Sequence, residues 1–156
     1  MKKLITLIMA LGILWSTNAI ADESYAAVVN PVGVISQTIA FDDFTDGGAA
    51  AATLNLTATL PAGAIPIAWR VQTTTAFATV TTMTLLVGIS GDTDKFSESS
   101  GQAIQAVGWY GDSALGQTEG VDAINAAQTI LLTATEDSEW GDVTAGAFTI
   151  YFYYLR

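Results

Sequence analysis

The sequence predicts an all-β domain, a β-sandwich or jelly roll of about eight strands, preceded by an apolar N-terminal leader. Three observations predict it. Apolar and polar residues alternate with period two along several runs, the signature of half-buried strands. Clusters of Gly, Asp and Ser separate those runs. The runs are rich in threonine and other β-branched residues, which suit a pleated surface.

The leader comes first. Lys2 and Lys3 form a basic head, Leu4–Trp15 is uncharged and mostly apolar, and Ala19-Ile20-Ala21 stands before Asp22. Positive head, short apolar run and small-x-small site in that order describe a secretory signal peptide, residues 1–21, leaving one domain over 22–156. The other reading is an uncleaved apolar arm that packs against a partner subunit. The run falls short of the roughly 20 apolar residues that span a bilayer, and no second run of that length follows, so no stable membrane span is expected.

Strands are expected at Ala26–Val29, Gly33–Phe41, Thr53–Leu60, Ile65–Thr75, Val80–Ile89, Ala106–Tyr110, Thr129–Thr135 and Ala147–Leu155. Over Thr53–Leu60, Leu54, Leu56, Ala58 and Leu60 share one face and Thr or Asn the other. Pro61-Ala62-Gly63 turns the chain. In the next strand Ile65, Ile67, Trp69 and Val71 form the inward face, and Pro66 points to an edge position or a late start. Met83, Leu85, Val87 and Ile89 alternate with Thr82, Thr84 and Leu86; Ile130, Leu132 and Ala134 repeat the pattern before the acidic turn Glu136–Glu139. Gln102–Val107 and Val121–Gln128 allow short helices, though neither carries an amphipathic stripe. The last strand, AFTIYFYYL, is apolar or aromatic on both faces, as in a central strand. A sharper reading makes Tyr151, Tyr153 and Leu155 a face that meets another subunit, since tyrosine combines apolar area with a hydroxyl.

Composition excludes much chemistry. There is no cysteine and no histidine. That removes disulfides, thiolate zinc sites, a cysteine nucleophile and any Ser-His-Asp triad. Val87–Asp92 approaches a nucleophile elbow but lacks its second glycine and a base. No phosphate-binding glycine loop is present, and no carboxylate pair stands out for glycosidase-like work. The chain is expected not to be an enzyme and to need no cofactor. Net charge is −10, and losing the two leader lysines would make it −12. Such a protein has no basic patch for nucleic acid. Only 13% of residues are charged, against about 25% in ordinary soluble domains. A coat this sparse suits a subunit that hides surface in an assembly.

Three segments carry a resemblance. Leu60–Phe77 (LPAGAIPIAWRVQTTTAF), Val87–Phe96 (VGISGDTDKF) and Val143–Tyr154 (VTAGAFTIYFYY) occur in this order, with Asp43–Gly48 ahead of them. Together they resemble small virion structural proteins of tailed bacteriophages, over most of Val34–Arg156. The resemblance implies a β-sandwich accessory virion protein, such as a head decoration or fibre-base component, with no catalytic residues to transfer. The leader departs from it, because such proteins assemble in the cytoplasm. Either the leader serves as an arm, or a phage-like domain is exported.

Two groups of residues remain as candidate sites. Asp92, Asp94 and Glu98 could supply several of the roughly six to eight oxygens that calcium takes; the plain alternative is a solvated turn. Asp42, Asp43 and Asp46 form a similar cluster. Trp69, Trp109 and Trp140 with Tyr110 could stack on a sugar. The alternation of its strand places Trp69 in the core, so Trp109 and Tyr110, set between glycines, are the better candidates. Asn55-Leu56-Thr57 matches a glycosylation sequon and is read as chance in a chain with a bacterial-style leader.

The sequence therefore predicts a virion structural protein that acts by self-association, for which a trimer would suit a jelly roll on a lattice, and by docking on a capsid or other virion protein. The alternative is a secreted or periplasmic binding module for a glycan or surface partner. A carboxylate-based hydrolase is the third reading.

Overall fold

The computed structural model describes residues 31–111 and 123–156. The leader, the strand expected over 26–29 and residues 121–122 of the second helical stretch lie outside the described residues. Nine strands are described: β1 (Val32–Ala40), β2 (Thr45–Asp46), β3 (Ala51–Leu60), β4 (Ile65–Ala78), β5 (Met83–Gly88), β6 (Gln102–Ala103), β7 (Gly108–Tyr110), β8 (Gln128–Glu136) and β9 (Ala145–Leu155). They form a four-stranded sheet, β1-β9-β4-β7, and a five-stranded sheet, β2-β3-β8-β5-β6.

The pairing is nested. With the two-residue β2 set aside as a ribbon on β3, β1 pairs with β9, β3 with β8, β4 with β7 and β5 with β6, all antiparallel. First meets last, second meets second-last, and so inward. One long antiparallel double strand is thus rolled up, and the β4–β9 and β5–β8 pairs close the roll. This is the topology of a jelly roll.

The strands form where alternation is clean. Met83, Leu85 and Val87 of β5 and Ile130, Leu132 and Ala134 of β8 are buried, facing Trp69, Val71, Phe148, Ile150 and Phe152 of the other sheet. The aromatic rings interlock. Phe96 meets Phe152 edge-on at 5.1 Å, and Phe44 lies 5.1 Å from Trp140. Trp69 is fully buried, and its Nε1 donates to the Phe96 carbonyl at 2.7 Å. Burying an indole without that partner would leave a polar group unsatisfied. β9 is central, as expected, with β1 and β4 on its two sides. Its Tyr154 ring covers Gly33, where an added Cβ would come within 2.2 Å of the ring. The Ala64 amide closes the Pro61-Ala62-Gly63 turn on the Pro61 carbonyl, with Gly63 at φ +83° as its third residue requires.

The structure corrects several expectations. In β4, Pro66 faces Tyr154 and Ala68 faces Tyr153, so Ile67 is the inserted residue of a β-bulge. A one-residue insertion reverses the faces before it. Pro66 is accordingly buried, whereas Ile67 is 38% exposed rather than inward. Pro66 also lies outside the Val71–Thr73 stretch that β7 covers, so its missing amide breaks no bond on that side. In β3 the register with β8 slips between Asn55 and Thr59, which leaves Ala58 exposed while Leu56 and Leu60 stay buried. The displaced Thr57 is held instead by Gln37 of β1, whose Oε1 accepts from its amide at 2.9 Å and its hydroxyl at 3.0 Å.

Gln102–Val107 is not helical. It begins as β6, and the Ile104 amide and Gln105 carbonyl bond Met83 and Phe77 instead of each other's neighbours. Residues 123–127 are likewise irregular, with the Ile124 amide on the Ala64 carbonyl. The strand expected from Val80 starts at Met83. Thr79 adopts φ +72°, and the Asp137 carboxylate takes the Thr81 and Thr82 amides that a ladder would need.

Candidate functional site

Among the described residues, the outer face of the four-stranded sheet gathers most of the exposed large apolar side chains; Val107, just before β7, is the other. Register places Val32 beside Leu155 and Leu155 beside Ile65; the next row is Val34, Tyr153 and Ala68, and the next Ser36, Tyr151 and Arg70. Val32 and Val34 are 44% and 50% exposed, and Tyr151, Tyr153 and Leu155 are half-buried. The bulge adds Ile67 to the exposed set. The structure thus brings Tyr151, Tyr153 and Leu155, singled out from the sequence, onto one surface with Val32 and Val34, which were not. Their signal was present: in VGVISQTIA valines occupy one face while Ile35 and Ile39 occupy the other, and only one face can be core.

Trp109 extends this surface. It is 58% exposed, and its ring stacks on Tyr151 with centroids 5.8 Å apart and planes 29° from parallel. Short β7 brings it there by pairing with Val71–Thr73 of β4. Strand alternation sends Tyr110 the other way, partly packed against the core, and its hydroxyl donates to the Ala106 carbonyl at 2.7 Å. Trp109 and Tyr110 border an open depression of about 360 Å³, with Arg70, Gln102 and Gly111. Trp69 and Trp140 lie in the core and take no part.

The acidic residues hold turns. The Ile89 and Asp92 backbones bond each other across Ser90-Gly91, and Gly91 adopts φ +89°. The Asp92 carboxylate lies 3.6 Å from the Lys95 ammonium, and the Asp94 carbonyl accepts the Ser97 amide. Asp43 Oδ2 accepts the Ala40 amide at 2.8 Å, and Asp46 Oδ1 the Gly48 amide at 2.7 Å. Among the described residues no three acidic side chains come together in a group that could hold a metal ion. Asp137 is pulled down to about pKa 2, first by the Thr81 hydroxyl and then by the Thr81 and Thr82 amides.

The arrangement is an apolar and aromatic sheet face with one guanidinium, on an acidic chain. No family model and no curated protein matches it. Solved structures similar to the chain include "Cyanophage Pam1 capsid asymmetric unit", at 20% identity and TM-score 0.49, and "Capsid of Ralstonia phage GP4", at 13% and 0.46. Each match covers 80% of this chain and 84% of the other.

Proposed function

We propose that the protein is a non-enzymatic virion structural protein, a capsid decoration or accessory subunit that docks through the outer face of its four-stranded sheet. The observation that carries the reading is the clustering of Val32, Val34, Ile67 and Trp109 with Tyr151, Tyr153 and Leu155 on that face. Exposed apolar patches on soluble chains mark interaction sites, and tyrosine and tryptophan are enriched where such contacts are tight. The virion assignment is supported by the resemblance of Leu60–Phe77, Val87–Phe96 and Val143–Tyr154 to phage structural proteins, and by a jelly roll, a fold used by viral capsid domains.

That fold also serves lectins, so fold alone does not choose. Trp109, exposed and stacked beside Arg70 and Gln102 at the edge of a depression, favours a second reading: an exported module that binds glycans.

One experiment separates the two. Mass spectrometry of gradient-purified particles from a culture carrying the gene should find the chain, and should fail to find the Trp109→Ala/Tyr153→Ala variant. Absence from particles, with the intact chain beginning at Asp22 outside the cytoplasm, would overturn the virion reading. Polysaccharide affinity lost on Trp109→Ala would then establish the second.

A further inference from the structure

The edges of the two sheets differ. β2 and β6 have two residues each and β7 three. The longer strands behind them are irregular or occupied. β3 slips against β8, and β4 shifts three times against β9 and carries Pro66. The end of β5 is closed by the Phe96 amide on the Val87 carbonyl and the Ser97 hydroxyl on the Val87 amide.

β1 is the exception. Its nine residues pair with β9 from Val32↔Leu155 to Ala40↔Ala147 without a register shift. Among the described residues no strand pairs with its other side; β3 approaches only through Thr57, which bonds the side chain of Gln37, in line with the inward Ile35 and Ile39, and leaves the β1 backbone unpaired there. VGVISQTIA has no charge and no proline, so the usual guards of a free edge are missing. A straight edge presents outward-pointing amides and carbonyls at regular intervals, ready for another antiparallel strand.

We propose that this edge pairs with β1 of a second copy, antiparallel about a two-fold axis near Ser36, joining two four-stranded sheets into one of eight strands. Charge argues for a copy of the same chain. At net charge −10, two copies approach closely only where acids are absent, and β1 has none. A basic partner would be drawn to the acidic loops instead, because opposite charge steers encounter. Pairing about Ser36 sets even-numbered residues against even-numbered ones, which keeps Val32 and Val34 of both copies on the outer face. The docking face is thereby doubled. A self-pairing edge accepts one partner per copy, so it closes a dimer and not a trimer. The inference rests on the docking reading and names one of its partners.

Sedimentation of the full chain at micromolar concentrations tests it. A dimer is expected, with the β1 amides that face away from β9 protected from hydrogen exchange. Ser36 is exposed, so Ser36→Lys and Ser36→Glu should each fold and each weaken the dimer on the order of tenfold, since like charges meet across the axis. An equimolar mixture of the two should restore it. A monomer, a trimer, or a dimer indifferent to Ser36→Lys would overturn the pairing. A monomer that still enters particles removes this inference alone; a dimer absent from particles removes the docking reading alone.

Discussion

Replacing Trp69 by phenylalanine tests whether the two best-placed indoles divide between core and surface. Trp69 is fully buried, and its Nε1 holds the carbonyl of Phe96, itself buried against Phe152. Phenylalanine removes roughly 40 Å² of apolar area, about 1 kcal/mol of transfer free energy. It also strands the Phe96 carbonyl in a dry environment, costing about 1–3 kcal/mol. The Trp69→Phe protein should therefore lose about 2–4 kcal/mol, read as a lower urea midpoint at unchanged slope. Trp109→Phe is the internal control: that ring is 58% exposed, and its change should stay within about 0.5 kcal/mol. A Trp69→Phe loss below about 0.5 kcal/mol would refute the reasoning, because it would mean that the Phe96 carbonyl reaches water or a new donor. Equal losses in the two variants would refute the division itself.

Three further outcomes follow from the same geometry. Asp137 falls from 3.8 to about 2 on folding, so its contribution is complete above pH 3.8 and is lost as pH drops through about 2; Asp137→Asn should flatten the acid limb of stability in that window, and urea midpoints that fall equally with pH in both proteins would count against it. Gly88→Ala should cost more than about 3 kcal/mol, because the added Cβ meets the Asp92 carbonyl oxygen at 2.2 Å and Thr93 backbone carbon at 2.4 Å; a soluble variant with a near-normal midpoint would show that the loop yields. Ile67→Thr should change stability by no more than about 0.5 kcal/mol, as an exposed bulge residue would, whereas an inward isoleucine would register a loss of about 2 kcal/mol or more in the same unfolding assay.

How much of this was legible depended on whether a ladder stayed regular. Alternation located β5 and β8 and their core faces, because each keeps a two-residue period, and an apolar run on both faces marked β9 as central. Alternation misplaced Ile67, because a one-residue bulge inverts the pattern, and Ala58, because the ladder with β8 is interrupted between Asn55 and Thr59; no residue type announces either, and Pro66 was the nearest hint. β2 and β6, at two residues, are too short to carry a period at all. The helical expectation at Gln102–Val107 failed because its backbone groups are taken by β4 and β5, distant in sequence. At the site, Tyr151, Tyr153 and Leu155 could be read from a strand apolar on both sides. The stacking of Trp109 on Tyr151 could not, since it needs β7 beside β4 and β4 beside β9.

The two outer faces explain the odd charge economy of the chain. On the five-stranded sheet, Thr53 and Asn55 of β3 stand exposed, and Thr133 and Thr135 lie half-buried on β8. The exposed Thr53 and Asn55 hydrate that surface with few charges, around the half-buried Leu131 and Leu86. On the four-stranded sheet, valines, tyrosines and Trp109 occupy the equivalent positions. A free subunit with 13% charged residues then depends on its net charge of −10 to resist association. Covering the apolar face removes the surface that most needs that protection, while the threonine face continues to meet water. On the docking reading proposed above, the sparse charge and the lopsided faces have one cause: the protein works with one side covered.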